Sequence, residues 1–509
     1  MIPAKTESLQ TGGNYMNTRP VHSFLLPALK QEENHKKGPR GSWARNQMGN
    51  PSSIFFLFAG LIALQARGGV VFTNLASFDG TNGAVPYAAL VQGNDGNFYG
   101  TASSGGTNSS VSIGTIFKMT SGGAITGLYS FHDNSDGSIP YAPLVQGKDG
   151  NFYGTTYDGG STEDGTVFRI KTNGVFTNLY SFPNNNGHPY AALVQGADGD
   201  FYGTTYGFGG FSGIVFRITT NGVFTNLFSL ANIAGGGQSR GALIQESNGN
   251  FYGTAYFGGG EIGGYGAIFE FTTNGMLTHY DPLPPGNDGP NSAGPENPWA
   301  GLIKAADGNF YGTSEYGGPS DKGTIFSYSK LYQPLHTFGV ISNGIFPCGG
   351  LVQGRDGNFY GTTYQGGITN ASAFYGWGTV FQVATNGTLT TLFSFNGTNG
   401  GNPYASLVLG SDGDFYGTTS TGGKYGKGTI FRLSIPMPPM FQSINKTNGA
   451  IAFTWSAVAG QSYQLQYKTN LIQANWLGLG GSMIATNSPM SSTDSTPTNS
   501  QRLYRVVLQ

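Results

Sequence analysis

From residue 70 to residue 434 short apolar runs alternate with turns rich in Gly, Asn and Asp. The third copy of the pattern shows the unit. Tyr190–Gln195 reads as a short apolar strand, Gly196–Gly199 as a turn, and Asp200–Tyr206 as a second strand ended by Gly209 and Gly210. Gly213–Thr219 is the third strand, Thr220–Gly222 a tight turn, and Val223–Ser229 the fourth strand. Asp-Gly and Asn-Gly between apolar runs are strong hairpin signals, because these residues accept the positive φ that tight hairpin turns need. Four antiparallel strands in such a stretch predict one propeller blade.

The unit recurs. Asp-Gly-Asn-Phe-Tyr-Gly-Thr, or a near variant, occurs seven times, with its Tyr at Tyr99, Tyr153, Tyr202, Tyr252, Tyr311, Tyr360 and Tyr416. A period near 50 residues marks a repeat architecture in which no unit buries its faces alone. A third-strand motif also recurs seven times, from Gly114-Thr-Ile-Phe to Gly428-Thr-Ile-Phe. After the last copy the chain leaves the pattern at Pro436 with no fourth strand, while Val70–Phe78 matches the fourth strand Val175–Phe182 with no first three before it. The N-terminal strand therefore completes the last blade and hides two sheet edges. The expectation is an all-β, closed seven-bladed β-propeller over residues 69–434. Two loops are enlarged, Asp281 to Pro298 and Asn370 to Tyr375. Such loops are common binding sites and also cheaply tolerated insertions.

Outside the array two segments differ. Residues 1–66 carry His35, Lys36, Lys37, Arg40 and Arg45, then an apolar run from Ile54 to Leu64, then Gln65 and Ala66. A basic lead, a short apolar stretch and a small residue at the exit read as a secretory signal peptide; a buried strand or short helix is the alternative. The run is short of the ~20 residues of a membrane span, and the mature chain is expected to have no transmembrane anchor. Translation starting at Met16 or Met48 would shorten the lead. Beyond the stiff Pro436–Pro439 linker, Ile451–Trp455, Tyr463–Tyr467, Trp476 and Arg502–Val507 alternate with aromatics and predict a small β-sandwich over 436–509. It resembles the fibronectin type III-like modules of bacterial exported proteins.

Composition narrows the partners. Charged residues are 10% of the chain and the formal net charge is −1, so the positive stripe of a nucleic-acid binder is missing. The single Cys348 leaves no intrachain disulfide, Cys-based zinc cluster or redox pair. Each Asp-Gly-Asn turn carries one Asp in a separate blade, and Asn248 replaces it in the fourth; a turn role explains Asp and Asn equally, so no metal site is expected. Asp133–Gly137 lacks the bidentate acid of a calcium loop, and Glu163-Asp164 reads as a solvated pair. No nucleophile elbow is present. Catalytic residues and cofactors are expected to be none.

The repeated Leu-Val-Gln-Gly-x-Asp-Gly-Asn-Phe-Tyr-Gly-Thr-Thr-Tyr, followed by Gly-Gly and Gly-Thr-Val-Phe, resembles the GloVer tandem repeat of bacterial surface-exported proteins. That resemblance implies an exported repeat protein, usually with a C-terminal anchoring device and no assigned activity. No apolar tail with basic residues precedes Gln509, so the resemblance leaves secretion and cell-surface attachment both open. The same rhythm is similar to sensor propellers of bacterial regulators and to streptogramin-lyase propellers. The lyases use His and Glu converging with a metal, and here His132, His188, His279 and His336 have no Glu at a repeated position.

An aromatic set is the candidate ligand site: Tyr87, Tyr141, Tyr190, Trp299 and Tyr404, each following a Pro where the first strand begins. Arg240 and Cys348 break the series. Such rings can stack on sugar faces; packing of blade on blade, where every blade needs bulky wedges, is the commoner use of such residues. The reading is a secreted or cell-surface, monomeric, non-catalytic propeller that binds a glycan or an extracellular protein. The alternatives are a polysaccharide or streptogramin-type lyase and a ligand-sensing ectodomain. N-terminal sequencing of the protein from its native host is expected to find the mature chain starting just after Ala66; intact residues 1–50 would refute export by this signal.

Overall fold

The computed structural model describes residues 70–508 except 108–112, 133–134, 184–186, 208–211, 234–236, 259–263, 285–293, 371–372, 436–438, 440, 448–449, 458–460, 470–472, 474, 487–488 and 496–501. The chain divides into residues 1–54 and 55–509. The signal-peptide segment, most of the enlarged 281–298 loop tip and most of the Pro436–Pro439 linker lie outside the described residues.

The described chain is all-β. Its helical content is two 3₁₀ turns, Leu230–Asn232 and Ile341–Asn343, and no helix is long and apolar enough to cross a membrane. Seven four-stranded antiparallel sheets follow one another in a propeller-like array. The first is built from Val91–Gln92, Phe98–Ala102, Thr115–Met119 and Ile125–Ser130. The seventh contains Val408–Leu409, Phe415–Thr419 and Thr429–Ser434. Its fourth strand is Val71–Ser77, which pairs antiparallel with Thr429–Ser434 in the register Phe72↔Leu433 and Thr73↔Arg432. Phe78, directly after that strand, is fully buried.

The first strand of each sheet is shorter than its apolar run. Of Tyr190–Gln195 only Val194–Gln195 pairs, with Phe201 and Tyr202. In other repeats the unpaired part of this backbone is tied to the preceding repeat: Thr101 Oγ1 donates to Ala142 O at 3.0 Å, Thr362 Oγ1 to Ala405 O at 2.9 Å and Thr418 Oγ1 to Ala88 O at 3.0 Å. A carbonyl engaged this way is satisfied without a ladder partner.

Each letter of the repeated motif has a contact. The Asp opens the turn, Asp95 Oδ1 accepting from Asn97 N at 3.1 Å while Oδ2 accepts from Tyr99 Oη at 2.8 Å. The Tyr ring leaves its own sheet and packs on the motif Phe of the next, Tyr99 on Phe152 and so on through Tyr360 on Phe415, with centroids 4.1–4.6 Å apart. Tyr416 of the seventh sheet packs on Phe98 of the first at 4.1 Å. The Gly is required because the third-strand Phe lies over it; a Cβ on Gly100 or Gly361 would stand 2.5 Å from the Phe117 or Phe381 ring.

A glutamine joins neighbouring repeats at the turns. Gln146 Nε2 donates to Gly150 O of its own turn, and its Oε1 accepts from Asn94 N of the preceding repeat at 2.9 Å. Gln195, Gln245, Gln353 and Gln92 accept likewise from Lys148, Ala197, Ala306 and Ser411. Where the Gln is absent, Lys304 pairs with Glu246, and Arg355 Nη2 donates to Ser411 O at 3.2 Å.

Residues 441–508 form two further sheets. Phe441–Thr447, Ala450–Trp455 and Met490–Asp494 make one; Ser462–Lys468, Leu477–Gly478, Met483–Ile484 and Leu503–Leu508 make the other. Phe453, Trp455, Tyr463 and Leu465 are buried in one shared cluster. Trp476 is not part of that core: it lies half-exposed under Lys468 and Arg505, at 5.0 and 4.4 Å from its ring.

Phe78 packs on Phe117 at 5.2 Å and is fully buried, so Phe78→Ala is expected to cost ~3–5 kcal/mol. Deleting residues 70–78 should lower the melting temperature further and promote aggregation through the bared edge of Thr429–Ser434, relative to a chain starting at residue 67. An unchanged melting temperature on deletion would refute the structural role of this strand.

Candidate functional site

The aromatic set is positioned by a repeated backbone elbow. In six repeats the residue before the Pro is left-handed: Val85, Ile139, His188, Asn297, Phe346 and Asn402 have φ between 54 and 59°. That region is unfavourable for β-branched Val and Ile, and local bonds hold it. Val85 N donates to Lys427 O at 2.9 Å, Ile139 N to Ile113 O at 2.8 Å and Asn402 N to Trp377 O at 2.7 Å, each carbonyl belonging to the preceding repeat. The elbow carbonyls accept in turn from the residue ending the second strand, as Ile139 O does from Tyr157 N at 3.1 Å. The Pro fits against the Gly of Gly-Thr-x-Phe, where a Cβ on Gly114 would stand 2.5 Å from Pro140 Cδ.

The elbows bring all five sequence-predicted rings together. Ring centroids are 5.3 Å apart for Tyr87 and Tyr141, 4.8 Å for Tyr141 and Tyr190, 6.0 Å for Tyr190 and Trp299, 5.9 Å for Trp299 and Tyr404, and 4.7 Å for Tyr404 and Tyr87. Every separation is within the range of aromatic contact. All five side chains are half-buried. Burial raises the hydroxyl pKa of Tyr87 and Tyr141, and of Tyr190 and Tyr404 much further, so the tyrosines are neutral hydrogen-bonding groups.

A second tier, missed by sequence reasoning, comes from the position ending the second strand. Tyr157 stands 5.3 Å from Tyr141, Tyr364 4.3 Å from Tyr404 and Tyr256 5.5 Å from Trp299. The available signal was that this position is Tyr in four repeats and Ser103, Glu315 or Ser420 in the others.

Charge enters at the two breaks in the series. The Arg240 guanidinium lies 3.9 Å from the Tyr256 ring centre and 4.0 Å from that of Trp299. Its Nη2 donates to Tyr206 Oη at 3.2 Å. Glu315 accepts from Tyr256 Oη at 2.6 Å; burial raises its carboxyl pKa, against the opposing pull of Tyr256 and Arg240. Cys348 is fully buried, and burial together with Glu315 pushes its thiol far up, which makes it a poor nucleophile.

The histidines are held by local acids. His188 Nδ1 is 3.0 Å from Asp158 Oδ1 and its Nε2 is 3.3 Å from Asp164 Oδ1. Burial lowers its pKa, but Asp158, the Tyr157 carbonyl and Asp164 outweigh that and the net shift is upward. His279 pairs with Asp281 at 3.0 Å and His132 with Asp136 at 3.4 Å. Burial lowers the pKa of His336. Among the described residues no three His, Cys, Asp or Glu side chains are grouped to hold a metal.

The family described as the Gloeobacter/Verrucomicrobia repeat matches over residues 109–290, 211–375 and 263–470. No curated protein matches the chain. Among solved structures, an extracellular domain from B. thetaiotaomicron assigned to a hybrid two component system is similar at 11% identity and TM-score 0.46, covering 86% of this chain. The chain spans 55% of that protein's length. An α-L-arabinanase of Penicillium chrysogenum is similar at 13% identity and TM-score 0.37 over 72% of this chain and 98% of its own. A luciferin-regenerating enzyme is similar at 13% identity and TM-score 0.36 over 56% of this chain and 87% of its own.

The raised pKa of His188 has a pH signature. Its stabilising contribution is complete below the ordinary histidine value of ~6.5 and is lost as pH rises through the higher folded value. His188→Asn keeps a residue that tolerates the left-handed elbow. The melting-temperature gap between wild type and variant is expected to be larger at about pH 5.5 than at about pH 8.5; a gap independent of pH would show that His188 does not act through its charge.

Proposed function

The chain belongs to the Gloeobacter/Verrucomicrobia repeat family, and from that premise we propose that it is an exported, non-catalytic binding protein that recognises a glycan through its aromatic cluster. Its frame is a closed seven-bladed propeller of residues 69–434, followed by a fibronectin type III-like module at 436–509. Support for closure comes from contacts between the seventh and first repeats: Tyr416 with Phe98, Thr418 with Ala88, Ser411 with Gln92 and Lys427 with Val85.

The observation that carries the binding reading is the meeting of Tyr87, Tyr141, Tyr190, Trp299 and Tyr404, from five repeats, in one half-buried cluster. Rings with hydroxyls at their edges match the mixed apolar and polar faces of a pyranose. The residues repeated in every unit are occupied with turns and inter-repeat packing, so specificity must come from the positions that vary. The titratable groups within the cluster are engaged, Arg240 by ring faces and Glu315 by Tyr256 Oη, and Cys348 is fully buried, which favours binding over chemistry.

Changing Trp299 and Tyr404 together to Ala is expected to weaken binding to glycans selected on an array by ~1–3 kcal/mol, measured by calorimetry on the full chain, with the fold retained. A sharp fall in melting temperature with unchanged affinity per folded molecule would make these rings packing wedges and overturn the reading. Turnover of a polysaccharide that is abolished by changing His188 or His279 would overturn its non-catalytic part.

A further inference from the structure

Arg240 takes the position that an aromatic residue holds in five other repeats, and it does so without the preceding Pro: the local sequence is Ser239-Arg240-Gly241. Its guanidinium is held by ring faces, those of Tyr256 and Trp299 close by and those of Tyr206 and Tyr190 at 5.0 and 5.6 Å. Such stacking fixes the plane of the group and leaves its N–H donors unused.

Those donors are poorly matched by protein. Of the five N–H bonds of a guanidinium, the one protein acceptor is Tyr206 Oη, reached by Nη2. Nε is buried without an acceptor, whereas Nη1 is neither bonded nor among the buried unpartnered atoms. No carboxylate among the described residues lies within ion-pair distance of Arg240. Glu315, the acid whose charge acts on it, is engaged with Tyr256 Oη. A half-buried, oriented guanidinium with an unbonded Nη1 and no described carboxylate within ion-pair distance is a receptor for a planar anion, and carboxylate is the group whose geometry the fork matches.

Resting on the glycan-binding reading above, we propose that the glycan is acidic: Arg240 takes the carboxylate of a uronic acid residue, whose sugar ring lies against the adjoining Tyr190, Trp299 and Tyr404 side chains. A carboxylate there would supply the missing acceptor and neutralise the one cation of the cluster. The aromatic rims supply affinity, and Arg240 supplies the choice between acidic and neutral sugars.

The test uses the full chain and two probe pairs: oligogalacturonate with its fully methyl-esterified form, and oligoglucuronate with its methyl ester. At least one free acid is expected to bind ~10-fold or more tightly than its ester, the scale of a charge-assisted bidentate contact. Arg240→Gln should abolish that preference, so that free acid and ester bind alike. Arg240→Lys keeps the charge but not the planar fork, and should retain only a small part of the preference; it serves if Arg240→Gln lowers the folded fraction. Equal binding of acid and ester by the wild type overturns this inference and leaves the glycan reading standing. A preference that survives in both variants also overturns it. Binding of neither member of either pair overturns the assignment of a uronate ligand, and the neutral sugars on the array then decide separately whether a glycan is bound at all.

Discussion

The contact on which the array depends is the motif Tyr of one repeat laid on the motif Phe of the next. A four-stranded sheet of this size has two faces and no helix to cover either, so it is stable only against its neighbours. The Tyr–Phe stack supplies that cover seven times, always within 4.6 Å. It also fixes the composition of the motif. Tyr needs a partner for its buried hydroxyl, which is the turn Asp four residues earlier. The next position must be Gly because the third-strand Phe fills the space a Cβ would take. In five repeats the following Thr ties the sheet to the first-strand carbonyl of its neighbour. One packing requirement thus explains why Asp, Tyr, Gly and Thr travel together.

The frame leaves few side chains free to differ. Variation concentrates at the residue after each elbow and at the residue ending each second strand. Those two positions meet in space, which is why Tyr, Trp, Arg, Glu and Cys all gather in one cluster while the turns remain nearly identical. The left-handed elbow gives the cluster its rigidity: Val85 and Ile139 hold a conformation that a free chain would leave, and backbone bonds between repeats keep them there.

The sheets were legible in the sequence because their signals are local. Apolar runs, Asp-Gly and Asn-Gly turns and a recurring Gly-Thr-x-Phe placed second, third and fourth strands to within two residues, and the stray copy of a fourth strand at Val70–Phe78 identified its own partner. First-strand length was not legible: the apolar run Tyr190–Gln195 is longer than the two residues that pair. The five aromatic residues were found from the Pro that precedes them. The second tier of tyrosines had a periodic signal that was missed, whereas the stacking of Arg240 and the placement of Glu315 depend on which repeats face one another and have no periodic signature. Trp476 was misplaced for a related reason: an alternating pattern does not distinguish a core ring from one capped by Lys468 and Arg505 on an exposed face.

The pairing of Val71–Ser77 with Thr429–Ser434 has a temporal side. Ser77 Oγ accepts from Lys424 N, 347 positions further along, so the first described strand waits for the last repeat before it has a ladder. Six repeats can assemble in order, each on its predecessor, but the seventh stays open at one edge until the early segment is captured. Loop closure over such a span is entropically slow rather than prohibitive, and in the interval the unpaired segment and the open edge are both exposed to cleavage and to capture by another molecule. The pairing of Val71–Ser77 with Thr429–Ser434 therefore couples the completion of the seventh sheet to the arrival of nearly the whole array.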